Sequence, residues 1–146
     1  MTMAIQQISI FLENKPGMLQ SMCKVLAKHQ IDMRALSLVE TKDFGIARII
    51  VADVISTATV LKDEGFVNRL TPVIAVRIPD EPGGLNRILE IFSRDGVNLE
   101  YMYAFLGGKE GRAYMIFRVG ENEKEAEASL RAAGIDLVTQ EDIAEL

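Results

Sequence analysis

Asn14-Lys15-Pro16-Gly17-Met18-Leu19 and Asp80-Glu81-Pro82-Gly83-Gly84-Leu85 are two versions of one phrase: an Asx residue, then Pro-Gly, then leucine. The two prolines stand 66 positions apart, and that spacing holds without gaps far beyond the phrase. It aligns Ile10 with Val76, Leu12 with Ile78, Val25 with Ile91, Ile31 with Val97, Met33 with Leu99, Ala47 with Ala113 and Ile50 with Ile116. A register kept over that length marks an internal repeat. Further on, Leu61 and Gly65 match Leu130 and Gly134, so the second copy has gained three residues, as loops before helices do. The chain reads as two copies of one unit, residues 1–71 and 72–146.

Each copy predicts strand, helix, strand, strand, helix, strand. In the first, Ile8, Ile10 and Leu12 alternate on one strand face, and Asn14-Lys15-Pro16 supplies a helix start. Met18, Met22, Val25 and Leu26 then recur as one helical face, which is a core stripe. Strands over 33–40 and 46–53 flank a turn-rich hairpin at Lys42-Asp43-Phe44-Gly45, and a short helix over 57–64 closes on Gly65. The second copy repeats this with a strand over 73–78 and a helix over 83–94 that turns Leu85, Ile88, Leu89 and Phe92 inward. Strands over 99–106 and 113–119 follow, then a helix carrying Ala126, Leu130 and Ala133. Final strands over 66–70 and 135–139 complete two split units of the ferredoxin-like type, α+β, with a sheet on one side and two helices on the other.

A unit of this size is marginal alone, since so small a domain buries only about 60% of its unfolded surface, so the copies are expected to support each other. On the second copy's middle strand, Leu99, Tyr101, Tyr103 and Phe105 oppose Met102, Ala104 and Leu106, and neither face is cleanly polar. The helix-free face therefore needs a cover. The expected arrangement joins the copies through their second strands into one eight-stranded, mainly antiparallel sheet with helices on one face, stacked on the sheet of a second chain in a homodimer.

Composition fits this picture. With 49% hydrophobic and 25% charged residues the chain is globular rather than disordered. No apolar run approaches the roughly 18–20 residues that cross a bilayer, and the first residues lack a secretory pattern, so a cytoplasmic protein without a membrane partner is expected. A net charge of −5 disfavours nucleic acid as a partner. Cys23 and His29 are the only residues of their types, too few for a zinc site or a thiol triad. Cys23 is expected to be a buried packing residue, and His29 to face solvent at a helix end. No catalytic constellation can be assembled, no metal site is expected, and no cofactor is called for.

Ligand chemistry has one good address in each copy. At each Pro-Gly the chain leaves a strand and enters a helix, so the first free N–H groups meet the positive end of the dipole and attract anions. Gly17 and Gly83, in ordinary helical conformation, let a ligand carboxylate approach the backbone, and Gly84 adds room. The competing reading of Pro-Gly is a tight turn without a ligand. Gly107-Gly108-Lys109-Glu110-Gly111 lacks the phosphate-loop pattern and reads as a hairpin turn. Glu121, Glu123, Glu125 and Glu127 read as a solvated helix start, and the acidic tail with Glu141, Asp142 and Glu145 in the same way.

The two strand-Asx-x-Pro-Gly-x-Leu-helix units, each followed by Ile31-Asp32-Met33 or Val97-Asn98-Leu99, resemble the ACT domain family over nearly the whole chain, in its free-standing tandem form. The resemblance implies a non-catalytic regulatory module that binds a free amino acid at the interface between paired modules. By position it assigns ligand-binding roles to Asn14, Pro16, Gly17, Met18, Leu19 and Asp32, and to Asp80, Pro82, Gly83, Gly84, Leu85 and Asn98. Leu12 and Ile78 stand where serine-sensing members carry histidine, which argues against serine and leaves an apolar or larger ligand open. The alternative is a regulatory subunit that docks on an amino-acid biosynthetic enzyme without binding a ligand itself. Pairing each loop with the opposite copy's second strand combines Asn14 with Asn98 and Asp80 with Asp32. The two amides are then expected to hold a neutral amino acid better than the two carboxylates.

Overall fold

The computed structural model describes residues 5–40, 43–105 and 111–146. Seven strands and five helices alternate as the repeat predicts: β1 (Ile5–Glu13), α1 (Met18–Lys28), β2 (Ala35–Glu40), β3 (Phe44–Ile50), α2 (Val54–Asp63), β4 (Asn68–Pro79), α3 (Gly84–Arg94), β5 (Tyr101–Ala104), β6 (Arg112–Arg118), α4 (Glu123–Ala132), β7 (Asp136–Val138) and α5 (Gln140–Glu145). Of the predicted hairpin turns, Lys42 and residues 107–110 lie outside the described residues, while Phe44 and Gly45 already belong to β3.

The helical stripes hold except at Leu89, which is only half-buried and outside the core that Ile91 joins instead. Met22, Val25 and Leu26 of α1 are buried with Ile8, Ile10 and Leu12 of β1 in the first copy's core. Ile88, Ile91 and Phe92 of α3 pack with Ile74, Val76, Ile78 and Phe117 in the second. Cys23 is half-buried against the first core rather than fully buried, and His29 caps the exposed end of α1.

Strand count and joint between copies both depart from expectation. The last strand of the first copy and the first strand of the second are one strand, β4, whose residues 68–73 pair with β1 while 74–79 pair with β6. The sheet therefore has seven strands, ordered β2-β3-β1-β4-β6-β5 with β7 on β4, and not eight. Thr71-Pro72 reads as a break in sequence, but proline and the residue before it both favour extended backbone. Pro72 sits where β4 passes from β1 to β6, and its carbonyl accepts a hydrogen bond from Arg118 at 2.8 Å.

The sheet also curls over its own helix-free face. From β1 to β5 is three strand steps, about 14 Å in a flat sheet. Yet the Gln7 amide on β1 donates to the Tyr101 hydroxyl on β5 at 2.9 Å, and the Tyr103 hydroxyl donates to the Gln7 carbonyl oxygen at 2.6 Å. At the rims of the curl the second strands of the two copies do meet, but only through a single antiparallel bridge, Ala35 with Phe105. Inside, Ile5, Ala35 and Ile50 of the first copy cluster with Val73, Ala75, Tyr114 and Ile116. Helices α1 to α4 pack on the other face, as expected, whereas α5 closes against the inside of the curl. The cover assigned in sequence to a second chain is supplied by the other half of the same chain.

The acidic tail keeps Glu141 and Glu145 exposed, as expected of a solvated face, but it also has a buried side. It forms α5, capped by Thr139, whose hydroxyl accepts from the Asp142 N–H at 3.1 Å while the Asp142 carboxylate accepts from the Thr139 N–H at 2.9 Å. Its Ile143 is fully buried in the shared core.

Candidate functional site

The two Pro-Gly loops differ from the starts of α2 and α5, while α4 begins behind the short turn Gly120–Asn122, also without a side-chain cap. Helix α2 begins on Asp53, whose carboxylate accepts from the Ser56 N–H at 3.2 Å, and α5 has the Thr139 box. Neither α1 nor α3 has a side-chain cap among the described residues, so their first-turn N–H groups keep capacity for an outside acceptor. Both begin on glycines in the left-handed region, φ +87° at Gly17 and at Gly83, which corrects the expectation of ordinary helical backbone. Most L-residues there cost about 1–2 kcal/mol, whereas Asn and Asp tolerate it. A Cβ at either glycine would project into open space.

Around the first loop a narrow cleft of about 90 Å³ takes Asn14, Met18 and Leu19 on one side and Leu38 and Glu40 of β2 on the other. At the second loop the cleft is about 370 Å³ and brings Pro82, Gly83 and Gly84 together with Arg77, Arg87 and Arg112. Of the two Pro-Gly clefts, the second is the wider. Pro16, Gly17, Asp32, Asp80, Leu85 and Asn98 line neither cleft. Asp32 instead lies 3.3 Å from the Arg34 guanidinium, with its side chain largely in water.

The arginines set the electrostatics of the wider cleft. Arg77 donates to Asp136 at 2.8 Å, which raises its already high pKa and keeps it charged. Arg87 donates to the Ala133 carbonyl at 3.0 Å. Beside the positive end of α3, this is a place for a carboxylate. Sequence reasoning passed over all three, although the repeat carried the signal: at the 66-residue spacing Arg77, Arg87 and Arg112 replace Phe11, Ser21 and Ile46. The histidine-replacing residues fall at the same places, Leu12 in the first cleft and Ile78 in the second.

A second polar region lies inside the curl. Gln7 is fully buried and Ser9 nearly so. Besides its bonds to the two tyrosines, Gln7 donates to Ser9 Oγ at 2.9 Å, and Ser9 shares a hydrogen bond with Thr71 at 3.0 Å. Burial pushes the Tyr103 hydroxyl far above the usual tyrosine range; Tyr101 adds to the shift and Arg48 opposes it. Glu123 is also raised, first by desolvation and then by Glu127, against Arg118, so it is less solvated than its acidic surroundings in sequence suggest.

The model for an ACT domain pair matches residues 3–146. A search of curated protein sequences gives no match. Among solved structures, protein BT0572 from Bacteroides thetaiotaomicron is 37% identical with a TM-score of 0.90, over 99% of this chain and 98% of that one. The ligand-free regulatory subunit of aspartate kinase from Thermus thermophilus is 19% identical with a TM-score of 0.64, covering 90% and 91%. The corresponding Thermus flavus subunit is 19% identical with a TM-score of 0.61 over the same shares. These two share the fold. From the repeated Pro-Gly helix starts, the tandem α+β architecture and the match over residues 3–146, the chain belongs to the ACT domain family, as a pair of ACT domains.

Proposed function

We propose that this ACT domain pair is a non-catalytic sensor of a free amino acid, whose carboxylate is received at the start of α3 in the cleft of Gly83, Gly84, Arg77, Arg87 and Arg112. The observation that carries the reading is a combination that α4, also uncapped, does not share: α1 and α3 start without side-chain caps on left-handed glycines whose Cβ direction is open. Asn14, Met18 and Leu19 form the narrower counterpart at α1, where about 90 Å³ admits only part of a ligand. Asp32 and Asn98, which line neither cleft, enter the proposal only where a ligand spans two paired modules. ACT domains are regulatory amino-acid-binding modules, and the fold is shared with regulatory subunits of aspartate kinase, so the proposed target is an enzyme of amino-acid metabolism.

A second reading has its own observation. Beyond Ala35 the outer edge of β2 has no strand partner among the described residues, and Leu38, Val39 and Phe44 beside it are exposed by 46%, 40% and 40%. Such an edge suits strand addition by a partner enzyme or by a second copy in a homodimer.

Thermal melting of the chain against the twenty amino acids separates the readings. A sensor gains about 2.7 kcal/mol from a ligand at 100 times its dissociation constant, and Gly83→Asn, which tolerates the backbone but fills the approach, removes the gain. No shift with any of the twenty leaves the docking subunit.

A further inference from the structure

The open end of the curled sheet holds a second cleft, of about 360 Å³, apart from both Pro-Gly loops. Its floor is a cross-strand row: Ser9 of β1 pairs with Arg48 of β3 on one side and with Arg69 of β4 on the other. Directly paired residues share a face, so both arginines stand on the groove side, with Cα atoms about 10 Å apart at ordinary strand spacing. Arg118 of β6 enters from the opposite wall, beside Tyr101, and Thr71 completes the hydroxyl lining.

Three guanidinium groups meet there against one carboxylate, Glu100, which lies 3.8 Å from Arg118. Two of the three are held in place. Arg48 stands over the Tyr101 ring with its guanidinium carbon 3.6 Å from the ring centre, and Arg118 is anchored to the Pro72 carbonyl. Arg48 and Arg69 make no ion pair among the described residues. Like charges gathered on a protein of net charge −5 raise the energy of the empty cleft, and an anion with more than one charge removes that cost. Guanidinium forks match carboxylate and phosphate oxygens in geometry as well as in sign. The volume sits at the small end of ligand sites, roughly 300–1,000 Å³, and the overall negative charge opposes a polyanion.

The repeat shows what this place becomes when it is structural. At the 66-residue spacing Ser9, Arg48 and Tyr101 correspond to Ala75, Tyr114 and Ala35. Those three are buried together under Ile143 of α5, so the equivalent end of the groove is apolar and filled by the chain itself. The open end has no such plug among the described residues and carries charge instead.

We propose that the open end of the groove binds a compact dianion, a small dicarboxylate or a phosphate group, held by Arg48, Arg69 and Arg118. The site is independent of the Pro-Gly loops. Titration calorimetry of the full chain with inorganic phosphate and, separately, succinate, at constant ionic strength and a pH where phosphate is doubly charged, tests it. Saturable binding of either is expected, and the one that binds identifies the source of the charge. Arg69→Gln and Arg48→Gln should each weaken it at least tenfold, whereas Lys24→Gln, an equal loss of charge on the exposed face of α1, should not change it. Arg69 is exposed, so an unchanged melting temperature for Arg69→Gln separates lost binding from lost fold. Absence of saturable binding by both dianions, or equal affinity in the arginine variants and the wild type, overturns the proposal.

Discussion

The two ends of the groove inside the curled sheet descend from the same repeated segment and do opposite things. One end is an apolar core, Ala35, Ala75, Tyr114 and Val138, closed by Ile143 of α5. The other is a polar network, Gln7, Ser9, Thr71, Tyr101 and Tyr103, leading outward to three arginines. A buried apolar end is stabilised by removing area from water and tolerates no vacancy. A buried polar end is stable only while every group in it is paired.

The comparison breaks hardest at the plug. Ile143→Ala should lose about 2–5 kcal/mol in urea unfolding, because α5 cannot collapse into the space left in a core the sheet already encloses. A loss below about 1 kcal/mol would mean that α5 merely lies on the surface.

At the polar end, Gln7→Ala leaves the Tyr101 and Tyr103 hydroxyls and Ser9 short of partners inside the curl, and should cost about 2–4 kcal/mol by the same measurement. Equal stability would show that water replaces the amide freely.

Tyr103 gives the same network a pH signature. Its folded pKa lies above the unfolded value of about 10, so the folded state holds the proton longer. Its contribution is complete below about pH 10 and falls as pH rises beyond it, by up to about 1.4 kcal/mol per pH unit for one proton. Tyr103→Phe should remove that component, giving a flatter alkaline limb in stability measured against pH.

Smaller effects sharpen the contrast. Thr139→Ala opens the capping box and should cost about 1 kcal/mol, felt at the plugged end through α5. Arg69→Gln should stay within about 0.5 kcal/mol of wild type, since the open cleft adds little to the fold.

Local signals were strong where the chain repeats itself. Alternation at Ile8, Ile10 and Leu12 and the stripe of Met22, Val25 and Leu26 marked the elements and their buried sides correctly. The Pro-Gly phrases marked two helix starts, and both proved to lack side-chain caps. What the periodicity missed has physical causes. Thr71-Pro72 looked like a boundary, but extended backbone is common to strand and linker, and only the hand-over of pairing partners makes one strand of it. The solvated acidic face of the tail held at Glu141 and Glu145, but its buried side escaped notice, because a six-residue helix presents a single apolar anchor, Ile143. Positive φ at Gly17 and Gly83 was open to glycine in any case, and composition does not say which conformation it takes.

The amino-acid sequence alone determined the repeat, the order of elements, the faces that must be buried and the family, because periodicity and self-similarity are properties of a line of residues. It showed that the helix-free face needed a cover without saying which cover. Tertiary structure decided that the chain covers itself, that one end is plugged and the other open, and that Arg48, Arg69 and Arg118 share a cleft. Those residues come together through strand register and the curl of the sheet, and both are set by packing between distant segments that no local pattern encodes.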